Sequence, residues 1–436
     1  MPISSFSGLQ TSVRALMAQQ AALDTTAHNI ANVNTVGYTR QTVELGAAQP
    51  YTIAAGATQQ GSGAQLGQGV DVLSFSRARE VFGDLQFRAQ QMLSGQASTE
   101  AQALDQAQDL AGEPSDSGIG ALTTKYYSAW QDLADHPEST AAKAALVGQA
   151  KALATAIGQL DQGLAQIQSV ASTEFAKQVG AQGPVQAAAT EIGKLNGAIS
   201  DAVARGQAPN DLLDRRDVLL DQLSSLGQLS TTDLGGGSIS VQFGDAAAPL
   251  VSGTTVTWPQ TITSATGGKL GALISLGSAT GPIGAYRTSL DAMASSLAGS
   301  TNALQPAAFF SGTTAATLSV VATTATVKAG SGTAAGANDL ALQLSAQRSG
   351  ATAGAYATLV QDMGAGAADA QRRADTSATL ASAADARRQS VSGVSLDEEL
   401  TDMLRYQRGY QAASRALSTM DEMLDVLINR TGRVGL

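Results

Sequence analysis

Apolar residues recur every seven positions near the N-terminus. Such a repeat is typical of the seam of a coiled coil. It predicts a helix from about residue 5 to about residue 32, followed by a turn around Asn34 and Gly37, which are natural turn formers. The apolar positions of this helix are Leu9, Leu16, Leu23 and Ile30, with Phe6 and Val13 on the adjoining line.

The C-terminal segment carries a second seven-residue repeat. Ser395 and Glu398 have the spacing of a capping box, and the acidic residues 397–399 complement the positive end of a helix dipole. Arg430, Gly432 and Arg433 are the stop signals that we expect at the other end. These features predict a helix over 395–430. Its apolar positions are Leu396, Met403, Tyr410, Leu417 and Leu424, with Tyr406, Met420 and Leu427 alongside and Leu400 one turn after Leu396.

Between these ends the pattern is mostly helical. Thr, Gly and alternating Val or Ile replace it over 234–276, which predicts short strands joined by glycine turns. A second such patch over 312–335 predicts either a hairpin or an irregular loop. Charged residues over 211–217 predict a solvated helix face. The helices predicted in the middle of the chain are 96–111, 119–135, 138–178, 186–206, 209–227, 283–305 and 351–390.

The order of these elements predicts a mainly α protein with a small β-rich insertion and nested, discontinuous domains. The terminal coiled coil combines residues 1–50 with 391–436, and an elongated helical bundle combines 51–233 with 277–390. Residues 234–276 form the small β-rich region, which 306–340 could extend. Because 436 residues exceed the usual size of one core, several domains are expected.

Composition and charge exclude several classes of function. The chain has 36 acidic against 26 basic residues and no basic cluster, so nucleic acid is not an expected partner. It contains no cysteine, which excludes disulfides and thiolate metal sites. No signal peptide with an apolar core and no run of 18 apolar residues is visible, so neither a cleaved signal nor a membrane span is predicted.

Candidate catalytic chemistry is sparse. The only histidines, His28 and His136, have no metal-binding spacing, and they read as a surface or interface residue and a helix-end residue. The sequence GGKL at 267–270 lacks the first glycine and the final Ser or Thr of a phosphate loop. We therefore expect a protein that is not an enzyme and binds no metal or cofactor. A secreted helical enzyme such as a wall hydrolase stays open, because carboxylate pairs exist.

Both ends of the chain resemble one known family. HNIANVNTVGYTRQ (28–41) and residues 392–429 resemble the terminal signatures of bacterial flagellar rod, hook and hook-associated proteins. The internal pieces 211–223, 267–273 and 309–312 resemble the hook-associated members at the junction between hook and filament. A hook or rod subunit is the alternative within the family. The residues that match the turn after the N-terminal helix are Asn29, Asn32, Asn34, Gly37, Tyr38 and Arg40.

This resemblance implies a location and a set of partners. The family is secreted by the flagellar type III export apparatus without a cleaved signal and resides in the extracellular flagellum. A cytoplasmic export chaperone covers the C-terminal helix beforehand. The other implied partners are further copies in a ring of the flagellar axis, the hook protein and the next hook-associated protein.

The two terminal repeats predict a polymerisation surface. Chain ends usually fray, and polar residues such as Gln20, Gln407 and Asp421 weaken an isolated pair of helices. Two helices alone bury too little apolar area, so neighbouring subunits are expected to complete them. A self-contained internal bundle is the alternative. The predicted interface comprises Phe6, Leu9, Val13, Leu16, Leu23 and Ile30 at the N-terminus, and Leu396, Leu400, Met403, Tyr406, Tyr410, Leu417, Met420, Leu424 and Leu427, which the chaperone would also cover, at the C-terminus.

Overall fold

The computed structural model describes residues 6–52, 65–334 and 336–429. Its α-helices are α1 (Phe6–Ala31), α2 (Val81–Ala111), α3 (Ile119–Asp135), α4 (Thr140–Val179), α5 (Pro184–Ala204), α6 (Asn210–Leu226), α7 (Gly268–Gly277), α8 (Pro282–Leu304), α9 (Asp339–Ser345), α10 (Ala351–Ser392) and α11 (Leu396–Asn429). The strands are β1 (Gln41–Ala47), β2 (Tyr51–Thr52), β3 (Gln65–Leu66), β4 (Val70–Arg77), β5 (Leu229–Gly235), β6 (Ser238–Phe243), β7 (Val251–Ser252), β8 (Thr255–Val256), β9 (Phe310–Ser311) and β10 (Ser319–Val320).

The predicted fold class, mainly α with a small β-rich part, is confirmed. Six helices, α3 to α6, α8 and α10, lie where the sequence predicts them, with ends that differ by two residues at most. The 40-residue α4 illustrates why these helices could be predicted. At its start the Ser139 hydroxyl accepts a hydrogen bond from Ala142 N (3.2 Å) and caps the helix. Buried apolar residues then follow at helical spacing, namely Leu146, Ala150, Leu153, Ile157, Leu160, Leu164, Ile167 and Ala171.

Five aromatic residues of the helical body form one cluster. Tyr126, Tyr127 and Trp130 of α3 meet Phe309 and Phe310, with ring centroids 4.9 to 6.3 Å apart. All five side chains are almost fully buried. The cluster anchors the segment after α8, which has little regular structure of its own, to the helical core.

A four-stranded antiparallel sheet of order β5–β6–β7–β8 packs on α5 and α6. Asn196 Nδ2 donates to Ile239 O (2.9 Å) and Gly253 O (2.8 Å), and Asn196 is fully buried. Arg216 in turn donates to Asn196 Oδ1 (2.9 Å) and to Gly237 O (2.7 Å). These contacts join the sheet to the helices, and its apolar side chains enter the same core.

Several predicted boundaries are wrong. Helix α2 begins at Val81 rather than near 96. The prediction missed its first half because two residues on the inward-facing side, Asp84 and Arg88, are charged and do not continue the apolar periodicity. The sheet begins at Leu229 rather than 234, and α7 occupies the end of the supposed β-rich region. Over 312–335 the described residues contain only β10, which forms a two-residue pairing with β9.

An antiparallel hairpin of β1 and β4, absent from the prediction, follows the N-terminal helix. Its register runs from Gln41 opposite Arg77 to Ala47 opposite Val70, with an irregularity between Glu44 and Leu45. Arg14 of α1 binds Asp71 of β4 at 2.8 Å. The hairpin is thereby held against α1. None of the helices in the described part of the chain combines the length and hydropathy needed to cross a membrane.

Candidate functional site at the paired chain ends

The two terminal helices pack against each other in antiparallel orientation. Near the start of α1, Ser12 Oγ lies 3.7 Å from Met420 Sδ of α11. Near its end, Asn29 Nδ2 donates to Glu399 Oε2 (3.0 Å). At Gly409 the helices approach so closely that a Cβ there would lie 2.7 Å from Gln19 Oε1. The seven-residue repeats therefore lie on two helices that do pair.

Burial along the pair is incomplete. The predicted interface residues of α1 are half-buried: Leu9, Val13, Leu16, Leu23 and Ile30. The fully buried residues of α1 are small or polar: Ser12, Ala18, Ala22, Thr25, Thr26 and Asn29. On α11 the half-buried members are Met403, Tyr406, Leu417, Met420 and Leu424, and the exposed ones are Leu396, Leu400 and Tyr410. The side chains of Phe6 and Leu427 and the predicted stop residues Arg430, Gly432 and Arg433 lie outside the described residues.

Helix α11 also exposes apolar side chains that the sequence prediction missed. Leu404 is 56% exposed and continues the line of Leu396 and Leu400, which are 46% and 50% exposed. Met423, Val426 and Ile428 are exposed further along the helix. The i, i+4 spacing of 396, 400 and 404 is the signal that could have found the first line. Among the described side chains of α11, Glu399 is the only buried one.

Asn29 organises the turn that follows α1. Its amide nitrogen donates to Gln41 O (2.9 Å) as well as to Glu399. Its amide oxygen accepts from Gln41 N (3.0 Å) and from the Tyr38 hydroxyl (2.7 Å). Burial, and then the carboxylates of Asp211 and Asp214, raise the pKa of Tyr38, so this hydroxyl stays a donor.

The remaining turn residues set the path of the backbone. Asn32 Nδ2 donates to His28 O (3.0 Å), and Asn32 Oδ1 accepts from Thr35 Oγ1 (3.1 Å). Asn34 is exposed. Gly37 has φ +79°, and a Cβ there would lie 2.0 Å from Val218 Cγ2 of α6. This position therefore requires glycine for two separate reasons.

Arg40 connects the turn to the start of α11. Its guanidinium lies 2.7 Å from Glu399 Oε1, 3.0 Å from Glu398 Oε2 and 3.6 Å from Asp402 Oδ2. Its backbone N–H donates to Ser392 O (2.9 Å). The acidic residues at the start of α11 thus bind a specific arginine in addition to complementing the helix dipole.

The predicted solvated face of α6 is wrong for Asp214, Arg216 and Asp217, whereas Asp211 and Arg215 are exposed. Asp214 and Arg216 are buried, and Asp214 Oδ2 accepts from Thr39 N (3.0 Å). Arg77 binds both Asp214 (2.8 Å) and Asp217 (2.9 Å). Arg77 belongs to the hairpin of β1 and β4, which the sequence pattern did not reveal.

Asp217 remains a carboxylate in this environment. Burial by itself raises the pKa of Asp217, but the guanidinium groups of Arg79 and Arg77 outweigh burial and hold that pKa below its ordinary value. Asp214 and Asp217 therefore belong to a network of ion pairs rather than to a solvated surface.

The histidines lie apart from any metal-binding arrangement. His28 Nε2 lies 3.4 Å from Asp211 Oδ1 beside the turn, and His136 ends α3. No three His, Asp or Glu side chains of the described residues come together in a way that could hold a metal ion.

Comparison with known protein families gives three matches. Residues 104–265 match the flagellar hook-associated protein FlgK helical domain. Residues 386–430 match the flagellar basal body rod FlgEFG protein C-terminal family, and residues 9–39 match the flagella basal body rod protein family. The two terminal matches contain most of α1 and α11.

Individual proteins are similar along the same regions. Flagellar hook-associated protein 1 of Bacillus subtilis (strain 168) is 30% identical over 506 residues, covering 98% of this chain and 99% of its own length. The protein of that name from Salmonella typhimurium is 31% identical over 242 residues, covering 55% of this chain and 41% of its own. The flagellar hook junction protein FlgK from Burkholderia pseudomallei aligns with a TM-score of 0.45 at 23% identity, covering 51% of this chain and 43% of its own.

Proposed function

Since this chain belongs to the flagellar hook-associated protein 1 family, we propose that it polymerises through its paired terminal helices at the junction between hook and filament. It is a structural component of the flagellar axis. The resemblance of the chain to the flagellar hook-associated proteins is confirmed. The alternatives of a hook or rod subunit are not favoured by the match along nearly the whole chain.

The sparse burial of α11 carries the proposal. This helix has 34 residues and is about 51 Å long, yet one described side chain is buried. Most stability of a helix in a protein comes from packing of its apolar face. The exposed line of Leu396, Leu400 and Leu404 offers such a face to a neighbour. A second copy of the chain, placed beside the first in a ring, is the neighbour that the proposal requires.

Assembly would then complete the packing of the terminal helices. Before incorporation the exposed apolar side chains of α11 contact water or an export chaperone. In the flagellum they would be buried by adjacent subunits, which supplies free energy that the monomer cannot gain. The proposed partners are the hook protein, the next hook-associated protein and the type III export apparatus. Secretion without a cleaved signal is part of the same proposal.

The predicted division into domains is part of the same proposal. Residues 1–50 with 391–436 would form the inner, polymerising part, and the helical middle with its small sheet would form the outer part. A purely structural role also implies that the protein has no catalytic activity of its own. Release of soluble fragments from purified cell wall by the intact protein would contradict that statement.

Deletion of the gene in its source bacterium tests the proposal. We expect electron microscopy to show cells with hooks but no filaments, with filament protein released into the medium. A plasmid copy of the full chain should restore filaments. Loss of the hooks themselves would assign the chain to the hook or rod, and normal filaments in the deletion strain would refute any junction role.

A further inference from the structure

The paired ends are linked to the helical body at two points of the chain. The chain leaves the hairpin through 78–80 into α2, and it returns from α10 through 393–395 into α11. Short covalent connections alone leave such units free to change their relative angle. A fixed angle requires side-chain contacts across the connection.

One face of α6 supplies these contacts to the outgoing chain. Asp214, Asp217 and Asp221 are spaced three and four residues apart, so they lie on the same side of the helix. Arg77, the last residue of β4, binds Asp214 at 2.8 Å and Asp217 at 2.9 Å. Arg79, in the connection itself, also binds Asp217.

Asp221 joins α6 to α2 and α10, the two helices that adjoin the connections. Its Oδ1 accepts from Arg88 Nε of α2 (2.7 Å), and its Oδ2 accepts from Arg388 near the end of α10. Arg388 also binds Asp385 at 2.8 Å and lies over the ring of Phe87, 4.0 Å from its centroid. One carboxylate thus holds α2 and α10 at the point where both approach the chain ends.

We propose that this acidic face of α6 is a clasp that fixes the angle between the paired ends and the helical body. The clasp consists of Asp214, Asp217 and Asp221 with their arginine partners. Guanidinium groups suit it because each can bind two carboxylates at a fixed geometry. The inference rests on the proposed function, because subunits of a regular ring must all present their outer parts at one angle.

The test measures that angle in the monomer by electron spin resonance. Because the chain has no cysteine, Ala47→Cys in the hairpin and Lys151→Cys on α4 place one spin label on each side of the clasp, both at exposed positions. We expect a single narrow distance distribution in the otherwise unchanged chain. In the combined variant Asp217→Asn and Asp221→Asn the distribution should become at least about twice as wide, because carboxylate pairing is what fixes the geometry.

Asp161→Asn is the matched control. It removes the buried partner of Arg287 (2.8 Å) within the helical body. This control should lower the melting temperature without widening the distribution. If the double variant does not fold, Arg77→Lys, which keeps the charge but loses the guanidinium group that contacts both Asp214 and Asp217, should still widen the distribution. A broad distribution in the unchanged chain, or equal widths in all variants, overturns the clasp.

Failure of the clasp and failure of the proposed function are distinguishable. The distance measurement uses the monomeric full chain in solution and does not depend on the flagellum. A narrow distribution that widens on loss of Asp217 and Asp221 would support the clasp even if the deletion strain kept its filaments.

Discussion

Replacing Leu404 by Asp should block incorporation into the flagellum while leaving the folded monomer intact. Leu404 lies on the outward line of α11 and is 56% exposed in the monomer. Complete burial of a leucine side chain contributes about 1.5–3 kcal/mol, so somewhat more than half of that, about 1–2 kcal/mol, remains to be gained on assembly. An unpaired carboxylate in the same interface adds a penalty of at least about 2 kcal/mol.

Together these effects weaken each subunit contact by roughly 3 kcal/mol or more, which corresponds to about 100-fold in the association constant. In the monomer the cost is much smaller. The side chain makes few contacts there, and the lower helix propensity of Asp amounts to about 0.7 kcal/mol at most. The melting temperature of the helical body should therefore shift by less than about 2 °C.

The assay expresses the Leu404→Asp variant in the deletion strain and compares two fractions. We expect wild-type amounts of the variant in the culture medium and little of it in isolated flagella, with filaments absent. The Leu404→Met variant keeps an apolar side chain of similar volume and should restore filaments. Recovery of Leu404→Asp in flagella at the level of the Met control would refute the burial of this line on assembly.

Three further predictions concern the turn and its partners. Glu399→Gln weakens the contact to Arg40 by about 1–3 kcal/mol, and hydrogen exchange should become faster over 29–41 but not in α4. Gly37→Ala, which places a Cβ at φ +79° and 2.0 Å from Val218 Cγ2, should cost at least about 1 kcal/mol; adding Val218→Ala should recover only the steric part of the lost melting temperature. Because the folded pKa of Asp217 is lowered, its stabilising contribution is present above the ordinary Asp value of about 4 and is lost as the pH falls through the folded value. The distance distribution between labels at 47 and 151 should therefore stay narrow at about pH 4 and widen only at lower pH, and widening at pH 6 would contradict this sign.

The helices with strong local signals could be predicted from the sequence. The start of α4 has a serine cap, and both terminal repeats extend over four or more turns. The β1–β4 hairpin could not be predicted, because the irregularity between Glu44 and Leu45 breaks the alternation of inward and outward side chains. The first half of α2 was missed for a related reason, since Asp84 and Arg88 occupy its buried side.

The charged face of α6 shows a different limit. Asp217 and Asp221 have the spacing of a solvated helix face, and local rules assign them to water. Asp217 binds Arg79, which is 138 residues away in the sequence, and Asp221 binds Arg388, which is 167 residues away. Such pairs exist only after the chain has folded back on itself, so only the tertiary structure can reveal them.

The contacts at the chain ends divide by physical kind. Ion pairs and hydrogen bonds around Asp214, Asp217 and Asp221 lie on the side of the helical body, where their directionality can fix an angle. Apolar side chains such as Leu400 and Leu404 face outward, where non-directional burial can accommodate a neighbouring subunit. Sulfate strengthens apolar burial, whereas partly buried ion pairs are screened only weakly by salt. Added sulfate should therefore promote self-association of the purified chain without changing the angle between its ends and its body.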